Sequence, residues 1–224
     1  MDGTVVITGG TGALGRAVVA EFAAAGWRVV VFDLHAAELE GATVVEADLS
    51  DAAAVARAVE AATGGPGAPL RAVVNLVGGF ASDQPVATTP LSDFEAQFAL
   101  NLRPTYLVTQ AALPVLIDAG GGAIVCVSSR AGVHPFAGAA GYCASKAAVL
   151  ALAKALDAEY AAEGVRTNAV LPSMIDTRAN RESMPPEEHE KLVPPQQIAS
   201  VILHLCSEDS AATSGAAVPV YGRA

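Results

Sequence analysis

Short apolar runs that do not alternate with polar residues recur along the chain, at 4–7, 28–32, 72–75 and 123–127, and 165–170 reads as a further strand although Arg166, Thr167 and Asn168 interrupt it. A strand with one wet face is apolar at every second position, so continuous Val, Ile and Leu mean cover on both faces. The intervening stretches 14–25, 51–62, 92–117, 141–162 and 196–206 carry helical apolar spacing. Gly26 stands where the first helix would stop, and Ser50 is a candidate N-cap for the second. Further strands are expected at 43–46 and 216–220, and Gly64-Gly65-Pro66-Gly67 reads as a loop. Strand–helix alternation from end to end predicts an α/β doubly wound parallel sheet with helices on both faces, as one domain over 1–224.

The 224 residues suffice for one such unit, since a chain of this length buries roughly 70% of its unfolded surface without staples. Hydrophobic residues make up 52% and charged residues 16%, which excludes a disordered chain. A formal charge of −10 repels phosphate backbones, so nucleic acid is not an expected partner. Cys126, Cys143 and Cys206 are odd in number and lack CxxC or Cys/His spacing, which indicates neither a disulfide framework nor a zinc site. His35, His189 and His204 share no ligand spacing, so no metal is expected. No basic segment precedes the first apolar run, and no apolar stretch approaches the ~18 residues of a membrane span. The expectation is a cytoplasmic protein with no membrane partner.

Between the first strand and first helix lies Thr8-Gly9-Gly10-Thr11-Gly12-Ala13-Leu14-Gly15. Glycines here permit a tight turn and let backbone N–H groups approach a pyrophosphate. Asp33 ends the second strand, near the usual offset of about 20 residues. A carboxylate there accepts hydrogen bonds from ribose hydroxyls and repels a 2′-phosphate. No basic residue occupies the glycine loop or the two positions after Asp33. The pattern favours NAD(H) and leaves NADP(H) open.

A second constellation is Tyr142-Cys143-Ala144-Ser145-Lys146 at the head of a helix, with Ser129 at the end of the fifth strand. Tyr142 and Lys146 are one turn apart and share a helix face. A nearby ammonium favours a phenolate, so Lys146 is expected to bring Tyr142 closer to neutrality, where it can serve as general acid or base. Alone, a tyrosine and lysine at this spacing are most often a solvated helix face. The glycine loop and Ser129 upstream change that balance.

With these residues the sequence resembles the short-chain dehydrogenase/reductase family over essentially its whole length. Asp48-Leu49, Asn75-Leu76-Val77-Gly78, Asn101 in the long helix, and Asn168 to Pro172 leading to Thr177 match as well. The resemblance implies a Rossmann fold and hydride transfer between a nicotinamide and a carbonyl or alcohol carbon. Tyr142 would exchange the proton with the substrate oxygen. Lys146 would bind the nicotinamide ribose, Ser129 would hydrogen-bond the substrate oxygen, and Asn101 would hold a water in the proton relay. Cofactor contacts would come from Gly9, Thr11, Gly12, Ala13, Leu14, Gly15 and Asp33, then Asp48 and Leu49 at the adenine. Asn75, Val77 and Gly78 would lie on the adenosine ribose side, with Pro172, Ile175 and Thr177 near the carboxamide. A small-molecule substrate and a homodimer or homotetramer through the two long helices are also implied.

Departures from the family pattern are Ala13 for the middle glycine, Val77 for the usual alanine, and Ser173 for the glycine after Pro172. The glycine loop, Gly78-Gly79-Phe80 and the 176–185 segment also resemble quinonoid dihydropteridine reductases. Those enzymes typically lack a serine at the Ser129 position, which pulls this chain toward carbonyl chemistry. A non-catalytic NAD(H)-sensing regulator is the alternative from another class, and it has no need of the tyrosine–lysine pair.

Substrate contacts are expected from Phe80, Arg130 and His134, although an exposed loop histidine is the better reading of His134. Segment 178–195 is expected to be a solvated, partly mobile lid. Cys143 reads as a packed thiol, and Phe22 and Trp27 as helix–sheet packing.

Overall fold

In the computed structural model, which describes residues 3–64, 67–81 and 84–223, strands form at the stretches read as strands, β6 with polar residues inside it. They are β1 (Thr4–Thr8), β2 (Arg28–Asp33), β3 (Ala42–Glu46), β4 (Leu70–Asn75), β5 (Gly122–Val127), β6 (Val165–Pro172) and β7 (Ala217–Val220). Between them lie α1 (Ala13–Ala24), α2 (Ala52–Thr63), α3 (Leu91–Asn101), α4 (Arg103–Asp118), α5 (Ala140–Tyr160), α6 (Arg178–Ser183) and α7 (Pro195–Cys206). All strands pair in parallel, in the order β3-β2-β1-β4-β5-β6-β7. Of the Gly64–Gly67 loop, Gly65 and Pro66 lie outside the described residues.

Both sheet faces are covered, as the unbroken runs require. Val6, Val30 and Phe32 pack toward Val55 of α2, Leu116 of α4 and Val149 of α5. Val5, Ile7 and Val31 pack on the other face toward Phe22 of α1 and Ile198 and Ile202 of α7. Phe22 meets Trp27 edge-on at 5.4 Å, as expected of helix–sheet packing. Among the described residues, no helix is long and apolar enough to cross a membrane.

Two local expectations are corrected. The stretch 92–117 is not one helix but α3 and α4, which meet at Leu102. Pro104 has no N–H to offer the Leu100 carbonyl, so the ladder is interrupted near the middle of the expected helix. Pro114 is tolerated inside α4 because its ring faces solvent. The second correction concerns Ser50, which does not cap α2. Asp51 does, accepting from Ala53 N and Ala54 N, while Ser50 donates to Asp48.

Chain order reverses at β1: β2 and β3 lie on one side, β4 to β7 on the other. The crossovers diverge there and open a crevice above the carboxyl ends of β1 and β4. The opposite edge is closed by backbone. Gly122 N donates to Gly164 O at 3.1 Å, and Gly121 (φ 101°) and Gly164 (φ 76°) approach so closely that a Cβ on Gly121 would strike the Gly164 carbonyl.

Candidate active site

Gly9 turns the chain out of β1 with φ 69° and accepts from Gly12 N at 3.2 Å. A Cβ on Gly10 would come within 2.6 Å of Val31, and one on Gly15 would strike the Gly9 carbonyl. These two glycines therefore allow α1 to lie directly on the loop and on β2. Gly12 and Ala13 are exposed, and α1 has no side-chain cap, so its first N–H groups face the crevice unclaimed. That arrangement fits an anionic phosphate. Because Ala13 is exposed, the methyl that departs from the family pattern meets no obstruction. Leu14 packs against the α1–α7 side of the core.

Asp33 closes the crevice on the β2 side. Its Oδ2 accepts from Thr11 Oγ1 at 2.7 Å and Thr11 N at 3.2 Å, and its Oδ1 accepts from Leu34 N at 2.9 Å. Glu46 of β3 stands beside Asp33 in register, a second carboxylate that sequence reading missed. Only the strand pairing brings it there.

Asp48 accepts from Ser50 N at 2.8 Å and Ser50 Oγ at 2.7 Å, and these bonds hold its carboxyl below the usual range. Leu49, expected at the adenine, is 6% exposed and belongs to the core. Its side chain anchors the loop, leaving the loop backbone and Asp48 to face outward.

At the end of β4, Thr8 Oγ1 accepts from Leu76 N at 2.9 Å and Val77 N at 3.2 Å. Val77 lies against Gly9, 3.2 Å from where its Cβ would be, so the larger side chain fills space at the loop. Asn75 is buried and donates to Thr109 Oγ1 at 3.1 Å, while its Oδ1 has no partner. Gly78 is bare for a reason: a Cβ would sit 2.6 Å from Asn101 Oδ1 and 2.9 Å from Lys146 Nζ.

Asn101 is the last residue of α3 rather than mid-helix. Its Oδ1 accepts from Gly79 N at 2.9 Å and its Nδ2 donates to Gly79 O at 3.1 Å. Lys146 lies one turn beyond Tyr142 on α5, 5% exposed, and donates from Nζ to Val127 O at 3.1 Å. Ser128 Oγ donates to Lys146 O at 2.7 Å, tying α5 to the end of β5. Ser129 accepts from Ala131 N at 3.1 Å, capping a short 3-10 turn.

Electrostatics here differ from expectation. Burial holds the Tyr142 phenol above its ordinary value, with the nearby Ser129 hydroxyl acting in the opposite direction. Burial also pushes the Lys146 ammonium down to about 8. Lys146 Nζ is turned to the Val127 carbonyl, and in the chain alone burial outweighs any pull of this ammonium on the Tyr142 phenol. Cys126, beneath the site, is pushed up to about 12 by burial, and Cys143 is buried, as expected of packed thiols.

Pro172 ends β6. Ile175 bridges to Val193, and Thr177 caps α6 by accepting from Asn180 N at 3.2 Å. Segment 178–195, expected as a solvated lid, holds α6 and a 3-10 stretch (Pro186–Lys191). It is pinned by an Arg181–Asp176 pair at 2.6 Å and by His189 Nε2 between the Arg181 and Met184 carbonyls.

Of the expected substrate contacts, only Phe80 is brought against Tyr142, with ring centroids 5.1 Å apart. Arg130 lies over the Tyr221 ring at 5.2 Å. His134 is exposed. Phe136, which sequence reading passed over, stands 6.2 Å from Phe80. An aromatic in a Pro/Gly-rich turn just before Tyr142 was the available signal.

The short chain dehydrogenase family profile matches residues 3–188. The chain is 32% identical to 2-(R)-hydroxypropyl-CoM dehydrogenase of Xanthobacter autotrophicus, over 99% of this chain and 98% of that one. It is 31% identical to (3R)-3-hydroxyacyl-CoA dehydrogenase of Mus musculus, over 97% and 94%. Among solved structures, an oxidoreductase of the same family from Burkholderia thailandensis superposes with TM-score 0.88 at 32% identity, covering 99% and 92%. A short-chain type dehydrogenase/reductase from Mycobacterium ulcerans shares the fold with TM-score 0.92 at 24% identity, covering 100% and 90%. The chain belongs to the short-chain dehydrogenase/reductase family.

Proposed function

We propose that the chain is an NAD(H)-dependent oxidoreductase that interconverts a ketone and a secondary alcohol, with Tyr142 as the proton donor and acceptor. An oxidoreductase acting on CH–OH groups follows from the family and its named dehydrogenases. The observation that carries the finer reading is the convergence of Asn101 Oδ1 and the buried Lys146 Nζ at Gly78, with Tyr142 one turn back along α5.

The uncapped start of α1 and the exposed Gly12 and Ala13 would hold the pyrophosphate, with Gly9, Thr11, Leu14 and Gly15 shaping the loop. Asp33 would take the adenosine ribose, and the Asp33–Glu46 pair disfavours a 2′-phosphate. Asp48 and the Leu49 backbone would border the adenine, and Asn75, Val77 and Gly78 the ribose beside it. Pro172, Ile175 and Thr177 would flank the nicotinamide end. A bound nicotinamide supplies or takes up the hydride.

In the reducing direction, Tyr142 Oη gives its proton to the substrate oxygen. Ser129 Oγ accepts from Ala131 N, and its own hydrogen would be donated to that oxygen as negative charge develops. Lys146 keeps N–H groups beyond the one given to Val127 for a ribose hydroxyl. Asn101 Oδ1 and Lys146 Nζ both face the bare Cα of Gly78, close enough for one bridging water to refill the tyrosine proton.

We assign 1–224 to a single catalytic unit in the cytoplasm, with 178–195 covering the substrate. The exposed Phe94, Leu100 and Tyr106 on α3 and α4 support a homodimer or homotetramer through this helix face, which sedimentation as a monomer at micromolar concentration would refute. For the activity, NADH and NADPH consumption is measured with a ketone panel and quinonoid dihydropterin. Ketone-dependent NADH turnover that falls by about 10²–10⁴ in Tyr142→Phe, the range of general acid–base catalysis, is the expected result. Full turnover in that variant, or turnover with the dihydropterin alone, overturns the reading.

A further inference from the structure

Two aromatic rings stand half out of the protein above Tyr142, in a chain with only 5% aromatic residues. Phe80 is 56% exposed and Phe136 is 53% exposed. Phe80 meets Tyr142 edge-on, at 5.1 Å and 88°, and Phe136 tilts 40° from Phe80 at 6.2 Å. They come from separate crossovers, Phe80 after β4 and Phe136 before α5, so their convergence is tertiary.

The rings are held by backbone and yet not buried by each other. Phe80 follows Gly79, whose N–H and C=O are both bonded to the Asn101 amide. A Cβ on Gly79 would come within 3.1 Å of Leu100, so this peptide is fixed against α3 and aims the Phe80 ring. The tilted pair leaves ring faces open where a third flat group can lie in offset or edge contact. The cations on the described parts of these two segments are Arg130, engaged by the Tyr221 ring, and His134, exposed on the turn. Neither stands in the ring pair as a fixed partner for an anionic substrate group.

We infer that Phe80 and Phe136 clasp a flat, uncharged apolar group attached to the reacting carbon, so that the substrate is an aryl or cyclic ketone or the matching alcohol rather than a small polar one. This rests on the oxidoreductase reading and names the substrate class of that same site. Tyr142 and Ser129 take the oxygen, and the rings take the hydrocarbon beside it.

The test compares kcat/KM for acetophenone and 1-tetralone with that for hydroxyacetone, using NADH. The measurements cover the natural chain, Phe80→Ala, Phe136→Ala and the conservative Phe80→Leu. Saturation-transfer NMR of acetophenone and sedimentation are run on the same proteins. Preference for the aryl ketones in the natural chain is expected. Each alanine variant should lower that ratio about tenfold, equivalent to ~1.4 kcal/mol, and Phe80→Leu should lower it less. Turnover that favours hydroxyacetone, or a ratio unmoved by both alanine variants, overturns the inference and leaves the oxidoreductase reading standing. So does a change in association state with no change in ratio, which would assign the rings to a contact between copies. Acetophenone binding that is lost in the alanine variants, without hydride transfer to any ketone, supports the clasp and overturns the oxidoreductase reading. Neither binding nor transfer overturns both.

Discussion

Thr11 holds Asp33 by two bonds to a single oxygen, Oγ1 to Oδ2 at 2.7 Å and N to Oδ2 at 3.2 Å. The glycine loop and the end of β2 are thus fixed to each other through the carboxylate proposed to select the cofactor. Oδ1 accepts only the adjacent Leu34 N–H and keeps acceptor capacity for a ribose hydroxyl.

Cofactor choice follows from this pair. Asp33→Asn should lower kcat/KM for NADH by about tenfold, the lower end expected for loss of one charge-assisted hydrogen bond. It should also raise the NADPH-to-NADH ratio. Thr11→Val, which removes the Oγ1 bond but keeps the backbone N–H bond and the charge of the carboxylate, should weaken NADH less and leave NADPH disfavoured. Parallel steady-state titrations with the two cofactors check this, and an unchanged ratio in Asp33→Asn would remove the residue from cofactor selection.

The buried Lys146 gives stability a distinctive pH dependence. The folded chain releases its proton near 8, whereas an unfolded lysine keeps it to about the ordinary 10.5. Between those values the unfolded state binds more protons, so this lysine makes stability rise with pH across the window. The gain approaches on the order of 3 kcal/mol at its upper end. Tyr142, held high in the folded state, opposes the rise only above its own ordinary value. Urea unfolding from pH 7 to 10.5 should therefore give a difference curve between the natural chain and Lys146→Met that climbs with pH. A flat difference would mean the ammonium is not desolvated.

Gly78 separates activity from folding. It is exposed, but a methyl there would press on Asn101 Oδ1 and Lys146 Nζ. Gly78→Ala should leave the melting midpoint nearly unchanged and lower kcat by about 10²-fold, as misplacement near 1 Å does. Calorimetry and steady-state kinetics on one preparation compare the two effects, and a variant with full kcat would show that the pair tolerates displacement.

At the start of α2 the cap can be identified by mutation. Asp51→Ala should cost about 1 kcal/mol, the usual loss for a capping acceptor, whereas Ser50→Ala should stay within about 0.5 kcal/mol. Denaturant titration of both variants discriminates them, and equal losses would return part of the cap to Ser50.

Much of this architecture was legible because it rests on short-range pattern. Unbroken apolar runs located the strands, and the glycine loop followed by Asp33 located the crevice. What stayed hidden depends on pairing between distant segments. Glu46 joins Asp33 only through the β2–β3 register, and Phe136 reaches Phe80 only when two crossovers fold over the same edge. Leu49 followed a family position, yet the hydrophobic effect draws its side chain into the core. The α3–α4 break was readable at Pro104, but apolar spacing continues through it, and periodicity alone does not register a missing N–H. The direction in which Tyr142 is held in the chain alone was not legible, because spacing establishes proximity along a helix and says nothing of burial, which comes first for both groups.

Gly121 and Gly164 lie at the far edge of the sheet, beyond reach of any substrate. Their backbones touch where β5 begins and the chain leaves α5 for β6. A side chain on Gly121 would strike the Gly164 carbonyl, and the left-handed backbone at both positions penalises replacement even where space exists. A library scored only for survival of function would mark these two positions as harshly as Tyr142. A counter-screen for folded protein would separate the classes, because loss at the glycines would coincide with loss of the protein itself, while loss at the tyrosine would leave it abundant and inert.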